Sequence, residues 1–460
     1  MKLQQLYRYF KTVREVKGPL LYLERVYDAK LGELVEVIPP RGEIRRGSVI
    51  ETSLEYTTIQ VFEGTEGLDT EKTVVKLLGR TIKIPVSEDL LGRLLNGIGE
   101  PIDGRGDVIP EDYVDVEGMP INPTAREYPR EFIETGISGI DGMNTLSRGQ
   151  KLPIFTGSGL PHNSLVAQIA TQSKIPGEKT SFAVVLATMG VTHSDAKFFE
   201  ERLRKAGVME HSVFIVNLAD DPPIERIITP RVALSIAEYL AFQRDYHVLV
   251  ILTDMLNYAE ALREVSSARE EIPGRRSFPA YLYTDLASIY ERCGRIKKRR
   301  GSITLMPIVT MPNDDITHPV PDLTGYITEG QIVLDRSLYH KGIYPPINVL
   351  PSLSRLMKEA VKSTREDHLY LSNQLYAAYS RAQEIRDILM VVGEEALEKR
   401  DKIYLSFGEK FEKRFVKQGE FEDRSLDETL QIGWDLLHML PREELTRIPP
   451  EIMEKYYGGV

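Results

Sequence analysis

The hydrophobic pattern changes character twice along the chain. Over residues 1 to about 75, short runs rich in β-branched and aromatic residues recur. Examples are Pro19-Leu20-Leu21-Tyr22-Leu23, Leu34-Val35-Glu36-Val37-Ile38 and Thr57-Thr58-Ile59-Gln60-Val61-Phe62. Gly18-Pro19, Pro39-Pro40, Gly42, Gly47 and Gly64 punctuate them. Short strands bounded by regular turn signals predict a small all-β barrel. From about 80 to 150 the chain is turn-rich, and Gly97-Ile98-Gly99-Glu100-Pro101-Ile102-Asp103-Gly104 cannot hold regular structure for long. This stretch reads as a connector into a larger domain.

Between 150 and about 350 the apolar runs become continuous. They are Leu152-Pro153-Ile154-Phe155, Phe182-Ala183-Val184-Val185-Leu186, Val213-Phe214-Ile215-Val216, Val248-Leu249-Val250-Ile251-Leu252 and Ile303-Thr304-Leu305-Met306. Helical stretches separate them; over 231–243, Val232, Ala233, Ile236, Ala237 and Leu240 share one face. Buried strands alternating with helices predict an α/β domain whose parallel sheet is covered on both faces. After about 353 helical patterns take over, at 355–362, 368–390, 394–415 and 426–439. Pro441 and Pro449-Pro450 punctuate the end, and the segment reads as a C-terminal helical bundle. The expected domains are therefore 1–76, 77–352 and 353–460. A chain of 460 residues is long enough for two or three cores.

Composition narrows the function. Hydrophobic residues make up 42% and charged residues 27%, as in ordinary globular proteins. No window approaches the ~18–20 apolar residues that span a bilayer. The N-terminus lacks the apolar core and cleavage site of a secretory signal. Cys293 is the single cysteine and has no internal disulfide partner, which fits a reducing setting. A net charge of −10 argues against a broad nucleic-acid surface. The short basic run Lys297-Lys298-Arg299-Arg300 reads as a solvated loop. The histidines show no metal-ligand spacing, and no metal site is expected.

The first sheet strand runs into Gly157-Ser158-Gly159-Leu160-Pro161-His162-Asn163-Ser164, followed by a helix. That is the place of a phosphate loop, whose pattern is G-x-x-x-x-G-K-S/T. Gly157 and Ser164 fill its ends, but His162 replaces the second glycine and Asn163 the lysine. The lysine ammonium normally neutralises the transferring phosphates. Asparagine donates a hydrogen bond without charge, and losing such a charge costs ~10²–10³ in rate. The amides of the helix N-terminus could still hold an anion weakly, and Ser164 could meet a phosphate or Mg²⁺. The strand Val248–Leu252 leads through Thr253 to Asp254. An aspartate there either orients a bound Mg²⁺ or simply caps the next turn.

Pro345-Pro346-Ile347-Asn348-Val349-Leu350-Pro351-Ser352-Leu353-Ser354 resembles the α/β-subunit signature of rotary ATPases. Leu90–Gly104, Thr135–Asp141 and Arg148–Phe155 are similar to that family's approach to its nucleotide domain. Ser158–Asn163, Ala187–Val191, Glu271–Arg276, Met311–Pro319 and Pro351–Met357 resemble the non-catalytic B subunits of the V/A-type branch, in their archaeal or bacterial form. The resemblance covers nearly the whole chain.

It implies a RecA-like core with a degenerate phosphate loop between the barrel and the helical domain. It also implies a place beside catalytic A subunits in a hexameric ring, around central rotor shaft subunits and held by peripheral stalk subunits. The membrane would be met only through that complex, at its cytoplasmic face, coupling ATP synthesis or hydrolysis to H⁺ or Na⁺ transport. ATP or ADP with Mg²⁺ would sit at the interface with the catalytic subunit, none being held tightly by this chain alone. Arg355 corresponds to the arginine finger given to the neighbour's site. Val191 stands where catalytic subunits carry the glutamate of Gly-Glu-Arg. Glu271–Arg276 and Asn313–Asp315 resemble loops facing the rotor, though they also read as charged surface turns. A self-sufficient secretion-type ATPase or a Rho-like translocase would need the lysine and glutamate that are missing.

Overall fold

The computed structural model describes residues 8–177, 182–393 and 397–457. The barrel expectation for residues 1–7 and the helix expectation for 394–396 lie outside the described residues.

Seven antiparallel strands open the chain: β1 (Arg8–Phe10), β2 (Val13–Lys17), β3 (Leu20–Glu24), β4 (Leu34–Ile38), β5 (Arg45–Thr52), β6 (Tyr56–Val61) and β7 (Val74–Leu77). They lie in the order β1-β7-β4-β5-β6-β3-β2. Alternation explains the barrel core: Val35 and Val37 point into the cluster with Leu21, Ile59, Val75 and Leu77. Glu36 faces outward and pairs across the strands with Lys76 at 2.7 Å.

The central sheet holds β8 (Leu94–Asn96), β9 (Ile154–Gly157), β10 (Phe182–Val191), β11 (Ser212–Leu218), β12 (His247–Thr253), β13 (Ser302–Met311), β14 (Gly330–Leu334) and β15 (Ile347–Ser354). Their order is β15-β14-β9-β13-β12-β10-β11-β8. All these pairings are parallel except β14 with β15. Helices α1 (His162–Gln172), α2 (His193–Lys205), α3 (Pro223–Gln243) and α4 (Met255–Ala268) cover it. The two-residue period sorts each strand between two cores. Val184, Leu186, Leu249 and Ile251 join the cluster of α1 and α2. Val185, Ala187, Val248 and Val250 join that of α3 and α4. Both faces are buried, as the continuous apolar runs require.

The first of these cores continues into the helical end of the chain, α5 (His368–Val392), α6 (Lys399–Lys410) and α7 (Leu426–Leu437). Leu371, Leu375, Phe411 and Trp434 bury there against the same cluster. The fold is thus an α/β core flanked by an antiparallel barrel and a helical domain.

Three of the eight strands β8–β15 escape a reading of apolar runs. The supposed connector contributes β8 to one sheet edge, only three residues long. β14 alternates instead of running apolar. β15 carries Pro351, tolerable because it is an edge strand with a register shift opposite. Helix α3 starts at Pro223, not near 231; Pro230 lies inside it, a residue that normally marks a boundary. The basic run 297–300 is exposed in the turn before β13, as its solvated reading implies.

Where the barrel meets the sheet domain, Glu225 is only 8% exposed. Burial and the carboxylates of Asp221, Glu63 and Glu100 push its carboxyl up to about 7, with Arg46 opposing. Arg46 is already shared between Glu63 (2.9 Å) and Glu100 (2.8 Å). A carboxyl raised on folding stabilises fully below its unfolded value, and that contribution is lost as pH rises through about 7. The Glu225→Gln chain should therefore gain thermal stability over the native chain on going from pH 5 to pH 8. A difference in melting temperature that does not change with pH would refute this.

Candidate functional site

The strand β9 ends at Gly157, level with Met311 of β13. The loop then closes on itself: Leu160 N–H donates to the Gly157 carbonyl at 3.2 Å, and His162 N–H to the Leu160 carbonyl at 2.8 Å. Leu160 is buried and anchors the turn, while Ser158 and Gly159 are exposed. Gly159 has φ +80°, a conformation that favours glycine. Pro161 precedes α1 without capping it, and His162, Asn163 and Ser164 form its half-buried first turn. The geometry of a strand–loop–helix anion cradle is present.

Its electrostatics are reversed. Asn163 Nδ2 donates to Asp195 Oδ1 at 3.0 Å, so a carboxylate stands beside the position from which an ammonium is missing. Asp195 is held by the Thr192 hydroxyl at 2.7 Å in the first turn of α2. Val191 is buried at the end of β10 and has no group that could polarise water. Before it, Gly190 adopts φ +65° and a β-carbon there would lie 2.8 Å from Arg226 Nε. Arg226 is spent on Asn217 Oδ1 and the Leu218 carbonyl.

Asp254 ends up at the tip of β12, 7% exposed. Its Oδ1 accepts from Leu256 N–H at 2.8 Å and Thr310 N–H at 3.1 Å. It caps α4 and ties β12 to β13, which is the capping alternative for this residue. Taken together, these residues do not fit a magnesium–triphosphate group: the carboxylates of Asp195 and Asp314 border the loop at Asn163 and Gly157, Arg336 at Ser158 is paired to Asp314, and one Asp254 oxygen is committed. Among the described residues no cluster of three or more His, Cys, Asp or Glu could hold a metal ion.

Arg355 lies elsewhere. It follows β15, and its neighbour Ser354 pairs with Gly330 at the start of β14. Ile154 of β9 is level with Ile332, so Gly157 lies roughly five residues further along, or ~16 Å at about 3.3 Å per residue. The structure therefore brings Gly157–Ser164 and Asp254 to one end of the sheet and Arg355 to the other. Arg355 is exposed; its backbone N–H donates to the Glu329 carbonyl (3.0 Å) and its Nη1 to the Thr328 carbonyl (3.1 Å). Among the described residues it makes no ion pair. The two charged loops are tied together by Arg276 and Asp315 at 2.8 Å, and Arg275 pairs with Asp322 of the following helix at 2.9 Å.

Sequence reasoning missed Asp195, Arg226 and the pair Asp314–Arg336, which meets the loop at Gly157. Thr192 and Asp195 stand three apart at a helix start, a capping pattern that was legible. The 22-residue separation of Asp314 and Arg336 leaves no local signal.

Comparison with known proteins agrees with this architecture. Residues 13–79 match the β-barrel domain of the ATP synthase alpha/beta family, and residues 136–354 its nucleotide-binding domain. Residues 358–457 match the C-terminal domain of V and A type ATP synthase. The B subunit of the A-type ATP synthase of Aeropyrum pernix is 58% identical over 452 residues, 98% of both chains. The solved ATP synthase subunit NeqB of Nanoarcheaum equitans superposes with a TM-score of 0.74 at 43% identity, covering 92% of this chain and all of that one. With its barrel, its nucleotide-fold sheet and its helical end all matched, this chain belongs to the ATP synthase alpha/beta family, among the B subunits of the V/A type.

Proposed function

We propose that this chain is the non-catalytic, regulatory member of a ring in which it alternates with catalytic subunits, and that it serves its neighbour's ATP site. The observation that carries this reading is the position of Arg355. It is exposed, without an ion-pair partner among the described residues, and about 16 Å along the sheet from its own phosphate loop. A guanidinium so placed serves a phosphate on another chain. The chain's own loop supports the same reading, since Asn163 and Val191 replace two separate catalytic groups and Asp195 adds an opposing charge. ATP or ADP with Mg²⁺ would then be held by the neighbour, with Arg355 reaching its phosphates. The paired loops around Arg276 and Asp315 would face the rotor. No described helix is long and apolar enough to cross a membrane, and ion transport would be reached through partner subunits.

The test compares ATP turnover by the isolated chain, by isolated catalytic partner and by the two together. The isolated chain should show none above background, and its addition should raise the partner's rate. Turnover by the isolated chain would overturn the assignment.

A further inference from the structure

We propose that the Asp314–Arg336 ion pair is a plug that keeps polyphosphate out of the former phosphate loop. The proposal rests on the reading of that loop as a non-catalytic remnant.

Arg336 is the first residue of a one-turn helix, Arg336–His340. Asp335 caps that turn through Ser337 N–H at 2.7 Å, and its other oxygen accepts from Asn348 Nδ2 of β15 at 3.0 Å. The backbone of Arg336 is thereby fixed. Its guanidinium forks onto Asp314 through Nε (2.7 Å) and Nη2 (2.9 Å), and Nη2 also donates to the Ser158 carbonyl at 2.9 Å. One side chain therefore binds both the loop and the residue lying against it.

Asp314 comes from the turn after β13, where Asn313 and Asp314 both have positive φ, 58° and 56°. Its carboxylate occupies the space that a β-carbon on Gly157 would take, and the same β-carbon would stand 2.7 Å from Arg336 Nη2. The first glycine of the loop is thus explained without any phosphate: it makes room for this pair.

The consequence for an anion is twofold. The Asp314 carboxylate lies against the loop and repels phosphate. Arg336, the cation that touches the loop, has its fork spent on that carboxylate. Removing the Asp314 charge reverses both effects at once, since it lifts the repulsion and leaves Arg336 free beside the amides of α1. The side chains are 38% and 42% exposed, and pairs that open to water are readily broken. Asparagine tolerates the left-handed conformation at this position, so Asp314→Asn changes the charge without straining the turn.

The experiment titrates the full-length chain with inorganic tripolyphosphate by calorimetry. Asp314→Asn should bind at least tenfold more tightly than the native chain. Arg336→Gln, which keeps the carboxylate, should bind no better than native. The double variant Asp314→Asn/Arg336→Gln should lose the gain. Equal affinities for native and Asp314→Asn would overturn the plug, as would a gain that survives in the double variant. The parent reading fails separately, through ATP turnover by the isolated chain.

Discussion

In a complex with catalytic partners, the Arg355→Ala chain is expected to lower ATP turnover by ~10³–10⁵-fold, the range for arginine fingers supplied in trans. The effect is large because a guanidinium stabilises charge that develops only as the phosphoryl group transfers. Arg355 is suited to this by what it lacks. One Nη1 hydrogen bond to the Thr328 carbonyl aims the side chain, and the other donors of its fork remain for phosphate oxygens. Since the residue is exposed and makes no ion pair among the described residues, its loss should leave folding within about ±0.5 kcal/mol. Assembly with the partner, followed by gel filtration, should be unchanged. Arg355→Lys sharpens the test, because lysine keeps the charge but not the planar fork. It should recover only part of the lost rate. Near-native turnover by Arg355→Ala would remove the finger from this residue.

The same residue shows how far the chain could be read unaided. Its exposure and its distance from Gly157 had no sequence signal; they follow from β15 pairing antiparallel at the far end of β14. The buried runs at β10, β11 and β12 were legible because a strand covered on both faces must be apolar at every position. The edges were not: β8 is too short and β15 carries a proline, so neither has the periodicity that marks a strand. The missing lysine at Asn163 was legible as a departure from a fixed pattern. What fills its place was not, since Asp195 reaches Asn163 across 32 residues and Arg336 reaches Ser158 across 178. Contacts of that range are set by sheet order, which a local pattern does not encode.

The largest expected loss of stability comes from Arg292→Ala, at about 2–4 kcal/mol, the cost of taking the donor from a buried and a half-buried backbone carbonyl and opening a cavity. Arg292 is 1% exposed. It forks onto Glu238 of α3 through Nε (2.7 Å) and Nη2 (2.8 Å). Nη2 also donates to the Ser235 hydroxyl at 2.8 Å, and Nη1 to the Val116 and Glu117 carbonyls at 3.0 and 3.1 Å. One side chain therefore pins the segment that follows β8 onto the helix behind the sheet. Gly118 has φ +57°, and a β-carbon there would collide with the guanidinium, so the backbone is fitted around this arginine. Alanine would orphan two carbonyls, leave the half-buried Glu238 carboxylate to water and open a cavity. Glu238→Gln keeps the shape and the backbone bonds, so it should cost less. The prediction is read from urea midpoints with the order native, Glu238→Gln, Arg292→Ala. A loss below about 1 kcal/mol for Arg292→Ala, the scale of an exposed pair, would mean that this connection does not hold the connector in place.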